Sequence, residues 1–322
     1  MGNLVSVIIP VYNREEYIEE CLNSVLSQSY ENFEIIIIDD GSDDRSFEIC
    51  ERFAENDERV KLFKGEHKGV SAARNKALDI AKGDYVIFVD SDDVIHPELL
   101  KSLTDAVVQT GAEIAGTHVM NISESKWDTV RDIIAKDSGE ARTEHKPNLE
   151  AIKIMLSGPS PINLAGGTML KRSLIAETRF RTDLFIAEDF YFIYENLVKG
   201  ANAVFVNPKR YYSRIHKTNS SWVYDFSGFF TRFERRRLVW QNEEKCGRTE
   251  NANLQKIAAV ATFSTCANRH EKADSEVKKM SAVLRKYKKE LLPALNLKSK
   301  IFFLLNAYLP FTNFLIKKIK KR

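Results

Sequence analysis

The strongest constraint on the fold is a regular alternation of short apolar runs with segments of helical spacing. The apolar runs occupy residues 4–10, 33–38, 60–63 and 84–89, and the helical segments occupy residues 15–29, 46–56, 69–81 and 97–111. Runs that are apolar at consecutive positions are typical of strands buried on both faces. Because strands and helices alternate with short connections, we predict an α/β fold with a mostly parallel, Rossmann-like sheet flanked by helices.

Length and composition are those of an ordinary folded protein. The 322 residues are 43% hydrophobic and 29% charged, which suffices for one large α/β domain with an accessory region. The net charge of +3 is too small to indicate nucleic-acid binding. The four cysteines form no CxxC pair, so neither a disulfide framework nor a zinc site is predicted. The first predicted strand begins at residue 4 and leaves no room for a signal peptide, so we expect a cytoplasmic protein.

A cluster of carboxylates follows the strand predicted at residues 84–89. Asp90, Asp92 and Asp93, together with Ser91, stand at the carboxyl end of that strand, where open α/β sheets bind ligands. Unpaired carboxylates would repel one another and resist ionisation. A divalent cation removes this cost, and oxygen ligands suit Mg²⁺ or Mn²⁺. Taken alone, the same stretch would more often be a solvated turn in which Asp93 caps the next helix.

Two other strand ends should lie on the same rim of the sheet. One carries Tyr12, whose ring offers a face for stacking a base, and the other carries Asp40, which can accept a proton from a base or a ribose hydroxyl. The sequence has no GxGxxG and no GxxxxGK[ST], so a Gly-rich loop does not cradle phosphates here. A metal held by carboxylates is the remaining way to bind a diphosphate.

The second half of the chain contains one further acidic pair. Residues 121–147 are polar and weakly periodic, which predicts a linker or mobile loop. Glu188 and Asp189 enter a strongly apolar helix at residues 190–197, where a helix dipole would also favour them. Residues 204–206 and 210–216 predict two strands, and later segments at 229–244, 253–268 and 275–292 predict helices.

The last 25 residues predict a membrane-associating tail. Residues 298–322 contain seven cations and no acid, and most of the remaining side chains are apolar. Pro310 interrupts the apolar run 301–316, which is too short for a confident transmembrane helix. The pattern fits a segment in the membrane interface that anionic lipid attracts. A buried pair of helices with a basic end is the alternative.

Four ordered motifs resemble the family 2 glycosyltransferases with the GT-A fold. The matching segments are VSVIIPVYN at residues 5–13, IIDDGS at 37–42, GVSAARN at 69–75 and DSDD at 90–93. The resemblance continues through Glu188-Asp189 and through YYSRIH at residues 211–216, and it fades beyond about residue 225. It implies a nucleotide-sugar donor, usually linked to UDP, a divalent metal, and inversion at the anomeric carbon.

The resemblance also implies roles for individual residues. Asp189 matches the general base, with Glu188 supporting it. Asp90 and Asp92 match the DXD metal motif, and His216 matches a late metal or diphosphate contact. The donor-binding residues that we assign on this basis are Pro10, Val11, Tyr12, Asp40, Arg74, Asp90, Ser91 and Arg214. The chemistry agrees, since attack by a sugar hydroxyl needs one base and departure of a nucleoside diphosphate is helped by one metal.

Other functions remain open at this point. A nucleotidyltransferase would also combine a sheet, carboxylates and a metal, but its Gly-rich basic loop is missing around residues 10–16. A NAD-dependent oxidoreductase lacks its fingerprint, and a degenerate scaffolding relative would not need every acid kept. Without a QxxRW motif or several spans, transfer of a single sugar is favoured over processive polymerisation.

We therefore predict four segments and one function. Residues 1–120 bind the nucleotide sugar, 121–225 carry the acceptor site and the base, 226–297 form a helical region, and 298–322 form the basic tail. The expected acceptor is a glycan, carried by a polyprenyl lipid in the synthesis of cell-surface or capsular polysaccharide. The enzyme would work at the inner face of the cell membrane. The sequence leaves its oligomeric state open.

Overall fold

The computed structural model describes residues 2–137, 139–216, 226–267 and 275–308. The chain forms two compact units, of which the first comprises Met1–Thr182 with Glu188–Lys217 and the second Asp183–Ala187 with Thr218–Arg322. The boundary predicted at residue 120 falls within a strand of the first unit, Ile114–Ser123. The first two predicted segments therefore belong to one unit, apart from residues 183–187 and 218–225.

The first unit is built on a nine-stranded mixed sheet. Its strands are β1 Val5–Val11, β2 Phe33–Asp39, β3 Val60–Lys64, β4 Tyr85–Phe88, β5 Val94–Ile95, β6 Ile114–Ser123, β7 Arg142–Lys146, β8 Thr168–Lys171 and β9 Ala203–Ile215. They lie in the order β3-β2-β1-β4-β8-β6-β9-β5, and β7 also pairs with β9. The four strands β3, β2, β1 and β4 are mutually parallel, and β6 is parallel to β9. The predicted mostly parallel α/β sheet is confirmed.

Seven helices accompany these strands. They are α1 Ile18–Leu26, α2 Ser46–Asn56, α3 Val70–Ile80, α4 Leu99–Thr110, α5 Val130–Lys136, α6 Asn148–Ser157 and α7 Glu188–Leu197. All seven residues of β1 and all seven of β2 are buried, as expected of strands in the middle of a parallel arrangement. Hydrophobic side chains of α1 and α4 join β1, β2 and β4 in one core.

Two local predictions are wrong. Residues 121–147 are not a linker, because β6 continues to Ser123 and is followed by a 3₁₀ helix at Glu124–Thr129, then α5 and β7. Trp127 and Val130 bury themselves against Ile122 and Tyr212, and this small cluster gives a polar-looking stretch its fold. The two strands predicted at 204–206 and 210–216 are the single strand β9, which crosses an irregular register opposite β6.

The second unit is helical, as predicted. Its helices are α8 Phe226–Lys245, α9 Thr249–Ala267, α10 Ser275–Lys286, α11 Lys288–Leu291 and α12 Leu297–Tyr308, and a 3₁₀ turn at Leu292–Ala294 follows α11. The predicted helix 275–292 is thus divided at Tyr287. Trp240, Phe263 and Phe303 contribute to the core of this unit. In the part of the chain that the structure describes, no helix is long and apolar enough to cross a membrane.

Candidate active site

The site lies where parallel strands of the first unit end. The carbonyl of Val11, at the end of β1, accepts a hydrogen bond from the amide of Asp40 at 2.8 Å, so these two strand ends are joined. Phe88 ends β4, which lies on the other side of β1, and Asp90 follows it. The predicted convergence of the residues after β1, β2 and β4 on one rim follows from this register.

The predicted nucleoside-binding residues occupy the β1 and β2 side of the rim. Pro10 and Val11 are buried strand residues, whereas the side chain of Tyr12 is exposed. The Tyr12 ring lies 4.7 Å from the ring of His67, centroid to centroid. The Asp40 carboxylate accepts hydrogen bonds from the backbone amides of Lys68 at 3.1 Å and Gly69 at 2.6 Å. Asp40 therefore shapes the loop that leads into α3, and Tyr12 is the accessible member of this group.

Asp92 and His216 come together although they are far apart in sequence. The Nε2 atom of His216 lies 2.8 Å from Oδ2 of Asp92, and both side chains are largely buried. The ring of Tyr17 stacks on the His216 ring at 5.1 Å. Arg14 approaches the same carboxylate oxygen, with its Nε atom at 3.4 Å. One carboxylate oxygen thus has an imidazole and a guanidinium as neighbours.

Asp93 binds the backbone of Arg214 and so stabilises the turn. Its carboxylate accepts a hydrogen bond from the backbone amide of Arg214 at 2.9 Å. Burial, together with the charges of Asp92 and Asp90, raises the pKa of Asp93 well above its usual range. The amide of Asp90 donates to the hydroxyl of Tyr211 at 3.0 Å. Gly166 permits this contact, since a Cβ atom there would lie 2.7 Å from the Tyr211 hydroxyl.

Arg74 joins the acidic turn to the acidic pair of α7. Its Nη2 donates to Oδ1 of Asp90 at 2.8 Å, and its Nη1 donates to Oε1 of Glu188 at 2.7 Å. Burial alone would lower the pKa of Arg74, but the nearby carboxylates of Asp90, Glu188 and Asp189 outweigh it and raise the pKa. Arg74 thus forms an internal ionic bridge between two parts of the site, and its donor contact stays a prediction.

The two acids of α7 have unusual proton affinities. Burial and the charge of Asp189 raise the pKa of Glu188 to about 7, although Arg74 opposes this shift. Burial also raises the pKa of Asp189, again against the effect of Arg74. Oδ1 of Asp189 accepts a hydrogen bond from the amide of Phe190 at 2.7 Å. A carboxylate with a raised pKa is a stronger base than an ordinary aspartate once it is ionised.

Arg214, predicted to bind the donor, is held by protein groups. Its guanidinium pairs with Glu20 and, at 3.1 Å, with Glu124. It also lies 3.7 Å over the Trp127 ring, and its Nε donates to the carbonyl of Asp92 at 3.2 Å. This arginine fastens α1 and the 3₁₀ helix to the acidic turn. Ser91, the remaining predicted donor residue, is buried.

The donor set fits a divalent cation that a substrate helps to bind. Among the described residues, no group of three or more His, Cys, Asp or Glu side chains is placed so that it could hold a metal ion. Asp92 and His216 supply one oxygen and one nitrogen in contact, and Mn²⁺ accepts both kinds of ligand. Substrate phosphates commonly complete such a coordination shell. Asp90, whose carboxylate is bound to Arg74, is the less direct of the two predicted aspartate ligands.

Sequence reasoning missed three residues of the site. Arg14 and Tyr17 touch Asp92 and His216, and Tyr211 holds the backbone of Asp90. In the sequence, Tyr17 has the spacing of an apolar helix face, so it was interpreted as a core residue and its contact with the site was not predicted. Arg14 could have been found from its position, because it is a basic residue directly after the VYN stretch at the rim.

Comparison with known proteins identifies the family. The family model described as glycosyl transferase family 2 matches residues 6–179, more than half of the chain. The chain belongs to this family. The match contains the rim residues, Arg74 and the acidic turn, whereas Glu188, Asp189, Arg214 and His216 lie beyond it.

The curated relatives carry glycosyltransferase names. GlyA of Streptococcus pneumoniae is 33% identical over 68% of this chain and 32% of its own length. GlyG of the same organism is 40% identical over 39% of this chain and 42% of its own length. EpsH of Bacillus subtilis is 32% identical over 66% of this chain and 61% of its own length. The chain thus spans about a third to three-fifths of the length of these relatives.

Solved structures share the fold. The structure of S. aureus TarS residues 1–349 in complex with UDP has a TM-score of 0.61 at 19% identity, covering 98% of this chain and 89% of that one. A mannosyltransferase from Pyrobaculum calidifontis in complex with GDP-Man and Mn²⁺ has a TM-score of 0.52 at 18% identity, covering 96% and 85%. At these identities the likeness supports the GT-A fold alone.

Proposed function

We propose that this chain is an inverting glycosyltransferase that moves one sugar from a UDP-sugar to a hydroxyl of a glycan acceptor. The observation that carries the proposal is the double ion pair of Arg74. It connects Asp90, next to the metal-binding candidates, with Glu188, next to the candidate base. The proposed diphosphate site and the proposed base thus both adjoin residues that pair with one buried guanidinium.

Asp189 is the proposed base. A sugar hydroxyl is a weak nucleophile, and a carboxylate within hydrogen-bond reach can accept its proton as it attacks. The pKa of Asp189 is raised towards neutral pH, which makes the ionised carboxylate a stronger base. One base and one displacement invert the configuration at the anomeric carbon. Glu188, paired with Arg74, holds the start of α7 and is proposed to support Asp189.

Asp92 and His216 are the proposed metal ligands. A divalent ion bound there would stabilise the negative charge that develops on the departing nucleoside diphosphate. Because the pair includes an imidazole, Mn²⁺ is favoured over Mg²⁺. Tyr17, stacked on His216, keeps the imidazole in position.

The donor is proposed to be a uridine nucleotide sugar. TarS structures contain UDP and UDP-GlcNAc, and the mannosyltransferase structure contains GDP-Man. All of these ligands are nucleoside diphosphates, which agrees with a metal site that binds a diphosphate. Tyr12, exposed on the rim beside His67, is the proposed stacking surface for the base.

The acceptor is proposed to be a surface polysaccharide intermediate at the cytoplasmic face of the membrane. One relative, TuaG of Bacillus subtilis, is 48% identical over 35% of this chain and 46% of its own length, and its name refers to teichuronic acid biosynthesis. In the second unit, α12 buries Phe303 and Ala307 but leaves an apolar stripe exposed. The stripe consists of Leu297, Ile301, Leu304 and Tyr308, at helical spacing. The basic end at 317–322 lies outside the described residues and would add attraction to anionic lipid.

UDP binding tests the donor and metal parts of this proposal. Isothermal titration should show UDP binding in Mn²⁺ that is much weaker in EDTA, and Asp92→Ala should weaken binding in Mn²⁺ while the fold is kept. Asp79→Ala, which removes an exposed aspartate paired with Arg179, should bind as the wild type does. Equal UDP affinity in Mn²⁺ and in EDTA for all three proteins would count decisively against the proposal. If GDP binds more tightly than UDP, the proposed donor must change from a uridine to a guanosine nucleotide sugar.

A further inference from the structure

Arg14 occupies a position that no part of the proposed mechanism uses. Its Nε lies 3.4 Å from Oδ2 of Asp92, the same oxygen that lies 2.8 Å from Nε2 of His216. The side chains of Arg14 and Asp92 are 24% and 12% exposed, so solvent screens this charge pair less than a surface pair. The guanidinium is thus a direct neighbour of the proposed metal ligand.

The backbone holds Arg14 in this position. Its Nη1 donates to the carbonyls of Tyr12 at 3.2 Å and Asn13 at 2.9 Å. Its amide donates to the hydroxyl of Ser46 at 2.7 Å, and the amide of Asn13 donates to the hydroxyl of Ser42 at 3.0 Å. Since several contacts fix this loop, the guanidinium reaches Asp92 from a defined direction.

A divalent cation and a guanidinium make incompatible demands on one carboxylate oxygen. The cation needs a lone pair of that oxygen, and the Arg14 guanidinium forms an ion pair with the same oxygen at 3.4 Å. Two positive groups at such short range also repel each other. We propose, on the basis of the proposed function, that Arg14 and the divalent cation are alternative partners of Asp92. When the cation binds, Arg14 turns to the donor diphosphate.

This exchange couples the metal to the nucleotide. A guanidinium matches phosphate oxygens in its hydrogen-bonding geometry, so a diphosphate gives Arg14 a new partner as it leaves Asp92. Metal alone must displace Arg14 without that compensation, and it therefore binds weakly. Metal and UDP should each increase the affinity for the other by the same factor.

Mn²⁺ binding without nucleotide tests the competition. Free Mn²⁺ is measured by electron paramagnetic resonance during titration of the full chain. Arg14→Gln should bind Mn²⁺ about five- to tenfold more tightly than the wild type, as removal of a competing, partly buried charge predicts. Arg52→Gln, which removes an exposed arginine paired with Glu19 at 3.7 Å, should bind as the wild type does. Ser42→Ala, which removes only one of the several hydrogen bonds that fix this loop and keeps the charge, should tighten Mn²⁺ binding less than Arg14→Gln does.

A lysine variant separates charge from loop structure. Arg14→Lys keeps the positive charge, so its Mn²⁺ affinity should lie between those of the wild type and Arg14→Gln. Equal affinity of wild type and Arg14→Gln would overturn the inference, and so would equal tightening in Ser42→Ala. A lysine variant as tight as the glutamine variant would do the same.

A second test measures how UDP changes the affinity for Mn²⁺. Saturating UDP should tighten Mn²⁺ binding to the wild type, and this factor should fall at least about threefold in Arg14→Gln, because part of the coupling is lost. An unchanged coupling factor would remove Arg14 from the diphosphate contact and overturn that half of the inference. If no protein binds UDP, the proposed donor fails, while the Mn²⁺ affinities measured without nucleotide still decide the competition.

Discussion

Replacing Arg74 with glutamine should destabilise the first unit in a pH-dependent way. Arg74 is 5% exposed and pairs with Glu188, whose side chain is 10% exposed. Its other partner, Asp90, is 42% exposed, so water can solvate that carboxylate when the arginine is removed. The cost of the substitution therefore depends mainly on the protonation states of the buried acids Glu188 and Asp189, whose pKa values Arg74 lowers.

The pKa of Glu188 sets the size of the effect. Glu188 has a pKa of about 7 in the folded chain against 4.5 for an unperturbed glutamate, so folding favours its protonated form and its ionisation costs stability as the pH rises. In the wild type this loss ends near pH 7, where Glu188 ionises against Arg74. In Arg74→Gln the pKa rises further and the loss continues. At about 1.4 kcal/mol per pH unit, Glu188 alone should make the deficit of the variant up to about 2 kcal/mol larger at pH 8.5 than at pH 5.5.

Urea unfolding, followed by hydrogen exchange of the amides in α3 and α7, measures this deficit in the free energy of unfolding of the first unit, which contains the Arg74 ion pairs. Arg59→Gln is the matched control, because Arg59 pairs with Asp57 in a more exposed position and a hydrogen bond from Arg59 lowers the pKa of Asp57. Asp57 is ionised at both pH values, so the control should lose under about 1 kcal/mol equally at each. A deficit of Arg74→Gln that is the same at pH 5.5 and 8.5 would refute the electrostatic reasoning and leave lost packing against Phe180 as the cause.

Two further predictions concern catalysis and location. Asp189→Asn should lower turnover by a factor on the order of 10²–10⁴ with donor affinity kept, and the wild-type rate should fall on the acid side at a pH above the usual aspartate range, because the base must be ionised and its pKa is raised. A near wild-type rate for this variant would make Glu188 the candidate base. Deleting residues 309–322, which keeps α12 and its buried Phe303, should weaken pelleting with anionic liposomes at low salt and reduce transfer to a lipid acceptor, while transfer to a water-soluble acceptor survives. Full-length protein that does not pellet would exclude the membrane tail.

The fold of the first 120 residues was predictable because local patterns dominate there. The apolar runs of β1 and β2 are buried on both faces, so their burial is visible in sequence without knowledge of their neighbours. Residues 121–147 were not predictable in this way. Their order depends on Trp127 and Val130 packing against Tyr212, a contact made across more than eighty residues of chain. A polar stretch with two well-placed apolar side chains has no periodicity to reveal it.

The candidate site shows the same division. The acids at positions 40, 90, 92 and 189 were predictable because each stands at the end of a strand or the start of a helix. Their partners were not, because pairing depends on tertiary contacts such as that of Asp92 with His216. The pairing of Arg74 with two carboxylates was also not visible in the sequence, although a buried guanidinium must satisfy its charge inside the protein.

The arrangement of charges separates two tasks within one site. In the group of Asp92, His216 and Arg14, an imidazole and a guanidinium lie near one carboxylate oxygen, which suits the proposed exchange of Arg14 for a cation. Asp90, Arg74 and Glu188 form a second group of opposite charges at 2.7–2.8 Å, which suits a fixed frame for the base. Because Asp90 and Asp92 are only two residues apart, the acidic turn is the element through which the frame and the exchangeable group are connected. Substitutions in the first group should therefore change metal and nucleotide affinity, and substitutions in the second should change the proton affinity of the base.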